Sequence, residues 1–113
     1  MILEVDIDRT TPATPIVKLS GRMTLGMRLR EVESRIDEAV QGSARKLILD
    51  LSAVEYADSA GLGLIMILYG KMKTAGGELR VVAPNQSVMA LFKLTCVDSL
   101  LTIYPDLAAA LAE

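Results

Sequence analysis

The chain of 113 residues has no histidine and no tryptophan, a single cysteine, and only three tyrosines and one phenylalanine. Each scarcity closes a class of function. Without histidine there is no Ser-His-Asp triad and no His-containing zinc site. One cysteine, Cys96 in KLTCVDSL, allows neither a disulfide framework nor a CxxC redox or metal motif, and reads as a small buried hydrophobe. So few aromatics leave no base-stacking platform. With acids and bases mixed along the chain and a net charge of −2, no basic stripe marks a nucleic-acid binder; only Arg28 and Arg30 come close to one. No apolar run approaches the ~20 residues of a membrane span. The opening MILEVDID lacks the basic start and long apolar region of a signal peptide, so a cytoplasmic protein with no membrane insertion is expected.

What the chain does have is core-forming material. Hydrophobic residues make up 51% of it, enough for one ordinary domain over residues 1–113. ILEVDID alternates Ile2, Glu4 and Asp6 against Leu3, Val5 and Ile7, the period of a half-buried strand. RTTPATP is a turn, and TPIVKLS a second strand hairpinned antiparallel to the first. After Gly21, Thr24 is placed to cap a helix on which Leu25, Leu29, Val32, Ile36 and Val40 form one stripe. Arg28, Glu31, Arg35 and Glu38 fill its other face, with Glu31 and Arg35 as an i,i+4 pair, and Gly42 ends it.

RKLILDLS is a continuous apolar run of strand length and belongs in the middle of a sheet, ending near Leu51 before a turn SAVEYAD. A helix follows from Ser59 to about Ala75, closed by Gly76 and Gly77. ELRVVAP is a strand, and NQSVMALFKLT a short helix capped by Asn85 with Val88, Leu91 and Phe92 on one face. LLTIY is a last strand, and Pro105 starts a terminal helix PDLAAALAE. The order β-β-α-β-α-β-α-β-α predicts one α/β domain, a small mixed sheet with parallel right-handed crossovers after the first hairpin.

One block stands out. In YADSAGLGLIMIL, Asp58 and Ser59 precede Gly61 and Gly63, directly against the most apolar run of the chain. Asp58 or Ser59 can cap the helix. Two glycines in a first helical turn cost ~1 kcal/mol each relative to alanine, which suggests that something approaches the backbone closely. GLG alone is a poor phosphate-loop signal, since neither GxxxxGK[ST] nor GxGxxG is present, and ADSAG misses the first glycine of GxSxG. The helix is apolar nearly all round. Leu62, Ile65, Met66, Tyr69 and Met72 line one side, while Leu64, Ile67 and Leu68 populate others, so it is either deeply buried or shared with a partner.

LILDLSAVEYADSAGLGLIMIL resembles the STAS domains of bacterial anti-sigma factor antagonists, whose hallmark is a strand, a short loop and D-S-[ST/A]-G-L-G opening a helix. LSGRMT, GGELRVVAP and LFKLTCVDSLLTIY resemble other parts of the same family, over nearly the whole chain. The resemblance implies a small mixed sheet with helices packed mainly on one side. It also implies that Ser59 is phosphorylated by an anti-sigma factor that is an ATP-dependent serine kinase. The unphosphorylated form then binds that kinase and frees a sigma factor, and a PP2C-type phosphatase resets the switch. Thr24, Asp58, Ser59, Ala60, Gly61, Leu62, Gly63 and Met66 become the partner-binding residues. No catalytic residue, metal or cofactor is implied, so the chain would be a substrate and binding module and not an enzyme. Two residues depart from the family pattern. Ala60 replaces a second hydroxyl common after the serine, and Thr24 stands where many relatives carry Asp. STAS domains also serve as non-switching subunits of lipid-transport ABC systems and signalling assemblies, and that is the alternative reading.

Overall fold

A computed structural model describes residues 2–42 and 44–112. Five strands form one sheet in the order β1-β2-β3-β4-β5: β1 (Glu4–Asp8), β2 (Ile16–Met23), β3 (Lys46–Ala57), β4 (Glu78–Val82) and β5 (Thr102–Tyr104). β1 pairs antiparallel with β2, and every later pairing is parallel. The helices are α1 (Met27–Val40), α2 (Ser59–Thr74), α3 (Gln86–Leu94) and α4 (Leu107–Leu111), with a 3₁₀ turn at Val97–Ser99. The mixed α/β architecture is the one expected. Glu113, placed in the last helix by its sequence, lies outside the described residues.

Alternation along the strands decides which face each helix covers. Val17, Leu19 and Met23 of β2, Leu47, Leu49 and Leu51 of β3, and Val81 of β4 point to one face. There they meet Leu29, Val32 and Ile36 of α1, the apolar side of α2, and Val88 and Phe92 of α3. Burying such side chains contributes roughly 1.5–3 kcal/mol each, which is what holds three helices to one side. Ile48 and Val82 point the other way and take only the short α4, through Ala110. Arg80 ties that helix down: its Nη1 donates to Ala110 O at 2.8 Å, and its guanidinium lies over the Tyr104 ring. The N-cap of α4 is Asp106, which accepts from Ala109 N, so Pro105 precedes the helix and does not start it.

β3 differs most from its sequence reading. It does not end near Leu51; it continues through SAVEYA, which looks like a turn, to Ala57. Pairing with β2 slips between Lys18 and Ser20 and again between Gly21 and Arg22, and both slips place an extra residue on β3. Bulges of this kind break alternation, so Glu55 and Tyr56 are exposed in succession and the period-2 signal vanishes. Local hydrogen bonds support the irregular strand. Asp50 Oδ1 accepts from Ser52 N, and Asn85 Nδ2 donates to the carbonyls of Val54 and Glu55 while its Oδ1 caps α3 through Val88 N. β2 likewise runs on past Ser20 to Met23, passing Gly21 at φ +97.

Three smaller expectations are corrected. α1 begins at Met27 with Gly26 as its N-cap, so Thr24 is not the cap and Leu25 lies outside the helix, 75% exposed. Glu31 is engaged by Arg28 at 3.2 Å, not by Arg35; Arg28 also donates to Leu3 O and fastens α1 to the segment before β1. Cys96 is exposed, not buried, because it holds the left-handed residue (φ +63) between α3 and the 3₁₀ turn, which carries its side chain off the core.

Candidate functional site

β2 and β3 end side by side, with Met23 opposite Ala57, and Asp58 N donates to Met23 O at 3.2 Å across the gap. That bond sets the chain direction in which α2 begins. Asp58 is the N-cap of α2, with Oδ1 accepting from Ala60 N at 2.9 Å and Gly61 N at 3.0 Å. Its other oxygen, Oδ2, accepts from Leu25 N at 3.0 Å. A single carboxylate therefore closes the helix terminus and pins the connection between β2 and α1. Burial would raise the Asp58 pKa, but the amides of Gly61, Leu25, Ala60 and Asp58 itself hold the carboxyl below its ordinary value.

Ser59 is the first residue of α2 and is exposed, and its hydroxyl takes part in no hydrogen bond among the described residues. Capping is thus the work of Asp58 alone, and Ser59 Oγ stands free in solvent. Both Asp58 oxygens are engaged by amides, so the neighbouring carboxylate makes no bond to the serine hydroxyl. Among the described residues no group of three or more Cys, Asp or Glu side chains is placed to hold a metal ion, and no helix is long and apolar enough to cross a membrane.

The chain matches the STAS domain family model over residues 6–110. It belongs to the STAS domain family. It is 32% identical over 102 residues to the anti-sigma F factor antagonist of Paenibacillus polymyxa, covering 87% of this chain and 84% of that one. The fold superposes on an anti-sigma factor antagonist from Mycobacterium paratuberculosis with a TM-score of 0.81 at 29% identity, covering 96% and 91% of the two chains. It also superposes on unphosphorylated SpoIIAA with a TM-score of 0.79 at 18% identity, covering 95% and 93%. At that identity the last likeness is one of fold.

Within this STAS domain the eight residues expected at the partner surface divide. Ser59 is exposed; Thr24, Asp58, Ala60, Gly63 and Met66 are half-buried; Gly61 and Leu62 are buried. The side-chain positions of the buried pair serve the seating of α2. A Cβ on Gly61 would lie 2.3 Å from Met23 O, so the close approach that this glycine permits is made by the domain's own β2. A Cβ on Gly63 would meet nothing within 4 Å, so its bare backbone is open to a second molecule. Two exposed apolar residues were not singled out in the sequence: Leu25 and Met27, where β2 leads into α1. The signal was Gly26 between them, which stops the helical stripe from extending back to Leu25.

Asp58→Ala removes the cap and is expected to cost about 1–2 kcal/mol of stability at neutral pH. The folded pKa lies below the unfolded one, so this carboxylate's ionic contribution is complete above the unfolded value near 3.8 and is lost as pH falls through the folded value. Urea titrations at pH 7 and below pH 4 should therefore show the gap between the two proteins narrowing in acid.

Proposed function

We propose that this chain is an anti-sigma factor antagonist, cytoplasmic and built as a single STAS domain, whose binding is controlled by phosphate on Ser59. Unphosphorylated, it binds an anti-sigma factor that is also an ATP-dependent serine kinase, and a sigma factor is released. The kinase moves the γ-phosphoryl group of ATP to Ser59 Oγ, ADP departs, and the hydroxyl proton passes to a base on the kinase. A PP2C-type phosphatase restores the hydroxyl. In this reading the chain is substrate and binding module, not enzyme.

The observation that carries the reading is the position of Ser59: exposed at the first turn of α2, beside a carboxylate already engaged by three amides. A phosphate adds about −1.5 to −2 charges. The dipole of α2 tolerates an anion at that end, so the fold survives. The amides of Ala60 and Gly61 are occupied by Asp58, so the new charge stays at the surface, next to an existing one. A partner closing over Ser59 would then meet two adjacent anionic groups and the cost of desolvating them.

Tandem mass spectrometry of the protein from growing and stressed cells tests the switch. A Ser59 phosphopeptide whose occupancy changes with condition supports it. Full coverage of the peptide without phosphate in any condition removes it and leaves a non-switching STAS subunit of a larger assembly. With the kinase in hand, Ser59→Ala is expected to bind as wild type does and to resist release by ATP. Ser59→Asp should bind roughly tenfold or more weakly, a loss of about 1.4 kcal/mol or more. Equal binding by wild type and Ser59→Asp in isothermal calorimetry would count against the switch.

A further inference from the structure

We infer that the cleft at the ends of β4 and β5 is a binding site for one neutral, ring-bearing small molecule of about ten to fifteen non-hydrogen atoms. The inference does not depend on the Ser59 switch. Ala83 and Pro84 after β4, Met89 of α3, Ile103 and Tyr104 of β5, and Pro105 line the cleft. Its volume of about 430 Å³ falls in the range of small-molecule sites, roughly 300–1,000 Å³. It opens at the carboxyl ends of two parallel strands, where α/β sheets take their ligands. Ala83 is held there at φ +52, in the left-handed region that alanine avoids, while its amide donates to Tyr104 O at 2.9 Å. Strain of this kind gathers at ligand sites. Pro84 and Pro105 have no N–H, so the strand pairing stops and the two loops part.

The lining decides what fits. None of the six residues carries a charge. The charged groups that adjoin them are already engaged. Arg80 donates to Glu78 and to Ala110 O, with its guanidinium 5.4 Å from the centre of the Tyr104 ring, and Asp106 accepts from Ala109 N. An ion entering the cleft would lose water and gain no partner, which excludes charged ligands. A thioether and an aromatic ring favour a flat, polarisable guest, and the Tyr104 hydroxyl can give or take one hydrogen bond. Arg80 fixes that ring in place, so one wall of the site is ready before the ligand arrives. The apolar surface is also recessed. Met89, Ile103 and Tyr104 are half-buried, whereas Leu94 stands 82% exposed elsewhere, and the flanking Asn85, Gln86, Ser87 and Asp106 are polar and exposed. A protein interface needs about 800 Å² on each side, and no apolar collar of that extent surrounds the cleft.

Titration of the isotope-labelled full chain with indole, followed by amide NMR shifts, tests the site. Saturable shifts centred on Ala83, Met89, Ile103 and Tyr104 are expected, with a Kd of about 1 mM or tighter. Tryptamine and indole-3-acetate, which add a positive and a negative charge to the same ring, should bind roughly tenfold or more weakly. Met89→Lys, whose long stem lets the ammonium reach water, should melt as wild type does and bind indole roughly tenfold more weakly. Leu94→Ser should bind indole as wild type does. The inference is overturned by the absence of saturable shifts, by shifts centred elsewhere, by equal binding of the three ring compounds, or by full indole binding in Met89→Lys. A second copy of this chain in the cleft, seen in ultracentrifugation as a dimer that Met89→Lys breaks, overturns it as well. The charge series is read on the wild type, so it decides the matter even where Met89→Lys fails to fold.

Discussion

Gly61→Ala is expected to destabilise the domain by about 2–3 kcal/mol, whereas Gly63→Ala, two residues on in the same helix, should stabilise it by about 0.5–1 kcal/mol. Helix propensity alone predicts a gain at both sites, so the opposite signs isolate packing. At Gly61 the added carbon would sit 2.3 Å from Met23 O and 2.8 Å from Met23 Cβ. The first of these is backbone, held in the pairing of β2 with β3 and accepting from Asp58 N. It cannot swing aside as a flexible side chain would. Relief requires α2 to lift away from the end of β2, which weakens the Asp58–Met23 bond and the apolar contacts below it. At Gly63 the methyl group enters open space. Urea denaturation of the two variants measures both effects, and a loss at Gly63 or a gain at Gly61 would contradict the close approach described. Against a typical domain stability of about 5–15 kcal/mol, the Gly61 effect is large. Gly63→Ala has a second consequence. If the bare backbone there admits a partner, the same substitution that strengthens the fold should weaken binding.

Met72→Glu is expected to unfold or nearly unfold the protein, while Met66→Glu should fold and lose partner affinity. The sequence places both methionines on one side of α2 and suggests the same partner-facing role for each. The structure separates them. Met72 is 2% exposed, packed in the main core near the C-terminal end of α2, where Lys71 pairs with Asp37 across to α1. A carboxylate at position 72 would be buried without a partner, a change that costs about 3–5 kcal/mol. Met66 is half-buried against the edge of that core, and its exposed part lets a carboxylate reach water. Its substitution should cost about 1 kcal/mol or less in stability, within the ordinary range for partly exposed sites. Circular dichroism melts of the two variants decide the first half of this prediction. Kinase binding by Met66→Glu, reduced about tenfold, decides the second.

The apolar circumference of α2 is the reason its role could not be read from periodicity. Leu62, Leu64, Ile65, Leu68 and Met72 are all buried because α2 packs on the sheet with α1 beside it, and only Ile67 among its large aliphatic residues is well exposed. A stripe at period 3.6 tells which residues share a face, but not how many faces the neighbours cover. The same limit misled the reading of Leu25, which fits the α1 stripe by spacing yet precedes the helix by two residues. It misled the reading of Cys96 as well, where composition favours burial and a left-handed backbone overrules it.

Local pattern was enough to read the element order, the antiparallel first hairpin, the central place of β3, and the block of Asp58 and Ser59 at a helix start. These follow from interactions within a few residues: alternation, a cap reaching the next turn, glycine and proline ending a helix or strand. Tertiary structure alone decided that SAVEYA is strand, since its two bulges exist only in pairing with β2. It also decided that Asp58 and not Ser59 is the cap, leaving the hydroxyl free. That Gly61 answers to Met23 while Gly63 answers to nothing among the described residues, and that Leu25 and Met27 stand exposed where β2 leads into α1, were decided there too. Space and exposure at a residue depend on what the fold brings beside it from more than thirty positions away, as Leu25 and Asp58 are brought together here, and local pattern carries no record of that neighbour.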